Sequence, residues 1–328
     1  MHPKWRIACL ALASRLPRGC GTDKSHNRHL ASHCRSFSGS CVALGTNTAH
    51  PQPCVRRQTN TTGRTAYLLL QPINALDMDL PANVAIAQYD WRTLANPGAE
   101  LHYITTEDTA NERIARIASR STPFAIGLDF EWRPTFTAGR PENPIALVQV
   151  ACDDEILLVQ VGAMQGFPTG LRNLLESANS TKVGVGIQYD CKKLWKDHRV
   201  SVRNCVDLAL LARSVDNERW KGPYKGGIGL IRLVNVYLGQ QLVKGGIQRS
   251  DWDRELTTRQ QEYAANDSHS ALAIYRVLEE KALNLTPRVE PEWFTFDAIN
   301  GVLRDQQGFQ WFPFNPLYDP GPLPTLAD

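Results

Sequence analysis

Apolar residues fill Ala125, Ile126 and Leu128, and then two acids, Asp129 and Glu131, break the run. A run of this kind suits a buried strand, and residues i and i+2 of a strand face the same side. Residues 124–132 therefore predict a strand carrying two carboxylates side by side, roughly 7 Å apart along the backbone. Upstream, residues 101–105 read as a short strand. Residues 107–117 read as a helix with Thr105 or Thr106 as N-cap and acids in its first turn. Residues 145–150 and 155–161, separated by Cys152-Asp153-Asp154, predict a hairpin. Residues 170–178 place Leu171, Leu174 and Leu175 on one helix face. A short buried strand over 182–187 leads into a helix with Asp190 in its first turn. A short helix over 207–212 and a Gly/Lys/Arg-rich loop over 216–228 follow. A helix over 230–238 is stopped by Gly239, and a long helix runs from a Thr257 cap to about Ala282. A hairpin followed by alternating strands and helices predicts an α/β sheet with helices on both faces.

Composition divides the chain. Of 36 Lys/Arg and 33 Asp/Glu, residues 1–75 hold ten and one, leaving 26 basic and 32 acidic residues in 76–328. A nucleic-acid ligand on that acidic part needs local basic patches or bound metal. Residues 1–75 are read as a basic extension, disordered or targeting. Its opening, with Arg6, Arg15 and Arg18 around an apolar core, suits a mitochondrial transit peptide. A secretory signal with a short core over 7–13, or a plain disordered extension, are the other readings. The expected destination is the nucleus or the mitochondrion. Residues 76–99, with Pro81 and Pro97, read as a linker, residues 100–285 as the folded domain, and residues 286–328 as a Pro/aromatic-rich C-terminal tail. No run of 18 apolar residues occurs, so no membrane span is expected. The eight Cys do not form a secreted disulfide framework, and Cys20, His26, His29 and Cys34 fit no standard zinc spacing. No Walker-type loop or GxGxxG turn supports ATP-driven or dinucleotide chemistry.

Two like charges on a buried strand are costly unless a cation neutralises them. All-oxygen ligands favour Mg²⁺ or Mn²⁺; the plainer alternative is a strand end whose acids face water. Two further acids stand where such chemistry needs them. Asp190 opens a helix directly after a buried strand. Asp267 lies in an Ala-rich helix, one turn after Tyr263 and on the same face. A lone Asp there is expensive unless it sits at the helix margin or meets a cation.

The ordered set resembles the DEDD superfamily of 3′–5′ exonucleases, in its tyrosine-bearing branch, and most of all the Werner-syndrome-type exonuclease domain. Gly127-Leu-Asp-Phe-Glu-Trp132 is similar to the first motif. Val183-Gly-Val-Gly-Ile187 with Asp190 and Lys193-Leu194 is similar to the second. Tyr263-Ala-Ala-Asn-Asp267 with residues 274–279 is similar to the third, and residues 250–258 lead into it as in the family. The likeness covers about residues 100–285. One departure is Tyr189, where the family places a small residue; it bears on substrate preference. The resemblance implies a ribonuclease H-like mixed sheet flanked by helices on both faces. It also implies two-metal hydrolysis of terminal phosphodiesters at nucleic acid 3′ ends, DNA favoured, releasing nucleoside 5′-monophosphates. On that likeness Asp129 bridges two Mg²⁺ or Mn²⁺ ions, Glu131 and Asp267 complete one site, and Asp190 serves the other through water. Tyr263 orients the attacking water, and a separate helicase supplies any unwinding.

Strand binding needs cations and stacking surfaces. Arg219, Trp220, Lys221 and Lys225 offer both, unless theirs is an ordinary solvated loop. Trp132 is either a wedge against the terminal base or a core residue. Lys192, Lys193 and Lys196 read as a wet helix face, and His269 as structural. An RNase D-like exoribonuclease and a non-catalytic nucleic-acid-binding module on the same fold are the competing functions.

Overall fold

The computed structural model describes residues 86–120 and 123–322. The basic extension, its Cys and His residues and most of the proposed linker lie outside the described residues. Among the described residues, eight strands alternate with six α-helices. In chain order these are β1 (Glu100–Ile104), α1 (Glu107–Ala118), β2 (Phe124–Glu131), β3 (Leu147–Ala151), β4 (Glu155–Val159), α2 (Thr169–Glu176) and β5 (Ser180–Gly184). Next come α3 (Ile187–His198), β6 (Val202–Asp207), α4 (Leu208–Val215), α5 (Leu230–Leu238), α6 (Thr258–Leu283), β7 (Thr295–Ile299) and β8 (Val302–Arg304).

The strands form one sheet in the order β1-β4-β3-β2-β5-β6-β7-β8. The β3–β4 hairpin is antiparallel, as the acidic turn at Asp153-Asp154 predicts, and β3 is antiparallel to β2 as well. β2, β5 and β6 are parallel. This centre is the ribonuclease H-like mixed sheet. Helix α6 packs along β2, β3, β4 and β5, while α2 packs on β5 and β6 and α3 on β6, β2 and β7. Among the described residues no helix is long and apolar enough to cross a membrane.

Both ends of the domain extend beyond the boundaries expected from sequence. Tyr89 and Trp91, in the stretch read as linker, are buried, and the Tyr89 amide donates to the Gln241 carbonyl at 2.9 Å. Residues 295–304, read as part of a tail, add β7 and β8 to the sheet. Trp311 is also buried, its ring 4.9 Å from Phe296.

Two capping predictions hold, whereas Thr106 precedes α1 without a side-chain hydrogen bond to the helix. Thr257 begins α6 with a reciprocal capping box to Gln260. Gly239 ends α5 in the left-handed region at φ 63°. His269, buried under the N-terminal segment, is hydrogen-bonded through Nδ1 to the Tyr89 hydroxyl at 2.7 Å. Burial lowers its pKa from 6.5 to about 4. The unfolded chain therefore takes up this proton at a higher pH than the folded one. The resulting stability is complete above pH 6.5 and is lost as pH falls through 4, by about 3 kcal/mol. Urea midpoints measured from pH 7 to pH 4 should fall less steeply for His269→Gln than for the parent. Parallel curves would rule out this linkage.

Candidate active site

The site is built where α6 crosses β2. Gly127 lies two residues before Asp129 and so on the same face. A Cβ at Gly127 would stand 1.9 Å from the Ser268 carbonyl oxygen. Only a bare backbone lets the helix lie this close to the strand, and Ala264, Ala265 and Ser268 give the helix a small-residue face. This close packing brings Asp267, the neighbour of Ser268, over Asp129 and Glu131. One carboxylate oxygen from each of the three lies within 4.8 Å of the others.

The charge balance is strained. Burial, with Asp267 as second cause, raises the pKa of Asp129 from 3.8 to about 7. Burial and then Asp129 push Glu131 up to about 10. Burial also raises Asp267, opposed by Lys244. Asp267 is 1% exposed. Its Oδ2 accepts from the Lys244 ammonium at 2.8 Å, and its Oδ1 has no hydrogen-bond partner among the described residues. A buried carboxylate oxygen without a partner, beside two more carboxylates, is a donor set that fits a hard divalent cation. Tyr263 stands against this cluster with Lys244 Nζ 5.6 Å from its ring centroid. Burial first and the three carboxylates next raise its pKa, so the phenol stays protonated.

Asp190 is not one of the close trio; it stands in the first turn of α3. Burial and the charge of Asp129 raise its pKa well above the ordinary range, with Asp207 contributing. Its position depends on Asp207. One Asp207 oxygen accepts from the amides of Ala209 and Leu210, capping α4. The other accepts from the amide of Gly186 at 2.9 Å, fixing the left-handed turn that opens α3.

The expected nucleic-acid contacts separate. Trp220 is 3% exposed and its indole donates to the Tyr237 hydroxyl, so it belongs to the core and offers no stacking face. Arg219 is paired with Asp216, and Lys221 with Glu218 and Asp319. Lys225 is exposed and lines a cleft. Trp132 is half-buried beneath the Lys193 ammonium at 4.8 Å. Lys193 itself is not on a wet face: it is buried, paired with Asp197 at 3.0 Å, and donates to the Asn143 carbonyl. Sequence reasoning missed Lys244 and Gln149. The latter is a fully buried residue directly opposite Asp129 in β3. A lysine between apolar Val243 and a Gly pair was the faint clue to the first, and an amide interrupting an apolar strand the clue to the second.

Comparison with known proteins agrees with this geometry. A family model described as 3′–5′ exonuclease matches residues 101–282. An Arabidopsis thaliana 3′–5′ exonuclease is 34% identical over 157 residues, 47% of this chain and 52% of that protein. The mouse bifunctional 3′–5′ exonuclease/ATP-dependent helicase WRN is 35% identical over 157 residues, 47% of this chain and 11% of that protein. Ribonuclease D of Xanthomonas oryzae is 29% identical over 214 residues, 64% of this chain and 53% of that protein. The chain thus spans about half of the plant and bacterial proteins and a small part of the mouse one. The matched segment contains all four acids and Tyr263, and the chain belongs to the DEDD superfamily of 3′–5′ exonucleases.

Proposed function

We propose that this protein is a metal-dependent hydrolase that removes nucleoside 5′-monophosphates one at a time from nucleic acid 3′ ends, with DNA as the favoured substrate. The observation that supports it best is the buried Asp129, Glu131 and Asp267 cluster, with its unpartnered Asp267 oxygen, inside the span of the exonuclease family. Asp129, Glu131 and Asp267 would hold one Mg²⁺ or Mn²⁺ ion, and Asp129 with Asp190 a second. Such ions stabilise charge on the attacking and leaving oxygens of an in-line displacement and lower the pKa of water. The chain's own groups do the rest. The protonated Tyr263 phenol hydrogen-bonds the attacking water and aims it at the terminal phosphorus. Lys244, whose ammonium pairs with Asp267 at 2.8 Å, would offer a positive charge to a substrate phosphate. A separate helicase would open duplex ends, as the joint name of the mouse relative illustrates.

The deciding experiment is digestion of a 5′-labelled DNA strand, both single-stranded and 3′-recessed, and of matched RNA, with Mg²⁺, with Mn²⁺ and with EDTA. Stepwise shortening of DNA with either ion, and none in EDTA, is expected. Faster shortening of RNA would favour the ribonuclease D-like alternative, which the Xanthomonas similarity supports. Binding without cleavage of either strand would leave only a non-catalytic module.

A further inference from the structure

A cleft of about 630 Å³ opens beside the first turns of α3, away from the acidic trio. Its walls come from three places. Helix α3 gives Tyr189 and Lys192, the loop before α5 gives Lys225 and its glycines, and the C-terminal segment gives Val302 and Phe312. The last of these lies outside the family match, which ends at residue 282. Tyr189 is 75% exposed, Phe312 61% and Val302 40%. Single exposed apolar side chains are ordinary, but several around one concavity mark a binding surface.

Charge narrows the ligand. Lys192 and Lys225 are exposed and form no ion pair among the described residues, unlike Arg219 and Lys221 nearby. The carboxylate that lines the cleft, Asp207, is buried, and both its oxygens accept backbone amides. The open charge of the cleft is therefore positive, although residues 76–328 are net acidic. Position narrows it further. Tyr189 is the residue before Asp190 in the first turn of α3, so the cleft and this acid share one helix end. Flat aromatic faces with unpaired ammonium groups suit unpaired bases and a phosphate backbone.

We infer that this cleft binds the single-stranded segment of a nucleic acid just upstream of the 3′ end being hydrolysed. Bases stack on Tyr189 and Phe312, and phosphates meet Lys192 and Lys225. Gly227 and Gly229, where an added Cβ would meet nothing, let the strand run close to the loop backbone. A fully paired end cannot present its bases to these rings, so a 3′ single-stranded tail becomes the preferred substrate. The inference rests on the exonuclease function proposed above and names the form of its substrate.

The test uses the full chain and two probes. The first is a 5′-fluorescein oligothymidylate of about a dozen nucleotides, in the site-size range of single-strand binders, read by anisotropy in EDTA. The second is the p-nitrophenyl ester of thymidine 5′-monophosphate, which reaches only the acidic site, read by hydrolysis in Mn²⁺. The Tyr189→Ser/Phe312→Ser variant should bind the oligonucleotide at least about tenfold more weakly and hydrolyse the ester at the parent rate. Lys192→Gln/Lys225→Gln should flatten the log–log salt dependence of binding by about 1.4. Oligonucleotide affinity unchanged in the aromatic variant overturns the inference, as does loss of ester hydrolysis in step with binding, which would mean a disturbed fold. A parent that binds the oligonucleotide but cleaves neither probe ends the exonuclease proposal instead, and the binding comparison still decides the cleft.

Discussion

Asp129→Asn is expected to abolish 3′-end hydrolysis while leaving the protein folded and at least as stable as the parent without metal. Burial and Asp267 raise the Asp129 pKa to about 7, so the folded state is strained by its charge. Asparagine keeps the shape and removes a charge from a cluster whose main counter-cation is Lys244. That charge is also what a divalent ion needs at the centre of the trio. We expect hydrolysis to fall at least about a thousandfold, or about 4 kcal/mol of transition-state stabilisation. Thermal melts supply the second readout. Mn²⁺ binds only the folded parent and raises its melting temperature by mass action, and that rise should shrink or vanish in the variant. A variant that digests a labelled strand at the parent rate would remove Asp129 from the mechanism. Tyr263→Phe provides the contrast: it should slow hydrolysis yet keep the Mn²⁺-induced rise, because the phenol orients water and holds no ion.

The parts of the fold that could be foreseen are those where one period dominates a long segment. Helix α6 has a cap, an apolar face and 26 residues over which to display both. Strand β2 shows the i, i+2 acids directly in its sequence. β6 was not foreseen. It carries Asn204 at φ 53° and pairs with β7 through a register shift between Val202 and Cys205, so no clean alternation reaches the sequence. β7 and β8 are short edge strands in an aromatic, proline-bearing stretch, and tertiary pairing decides them. The same distinction applies to the site. Its four acids can be read because their residue types are chemically demanding. Lys244 meets Asp267 from 23 positions away through the fold alone. Trp220 and Lys193 have exposed-looking neighbours in the sequence, but Tyr237, Asp197 and the backbone of Asn143 enclose them.

Gly127→Ala is expected to be the most damaging single methyl addition at the site, because the atom it meets cannot turn aside. The new carbon would lie 1.9 Å from the Ser268 carbonyl oxygen and 3.2 Å from Leu272 Cβ, against a normal contact of about 3.5–4 Å. A crowded side chain changes rotamer, but a carbonyl in mid-helix moves only with its helix. Either α6 retreats from β2 or the strand buckles, and both open the contact that seats the helix on the strand. Overpacking ordinarily costs about 1–3 kcal/mol; with backbone as the obstacle we expect about 3 kcal/mol or more, a large share of a typical total of about 5–15 kcal/mol. The retreat also carries Asp267 and Tyr263 away from Asp129 and Glu131, and a shift of about 1 Å at such a site costs on the order of a hundredfold in rate. Stability and activity should therefore fall together, with the Mn²⁺-induced thermal shift. Gly246→Ala is the control, since its Cβ would meet nothing within 4 Å; its urea midpoint should match the parent's. If Gly127→Ala also unfolds at the parent's midpoint, the bare-backbone crossing is not what sets α6 over the acidic strand.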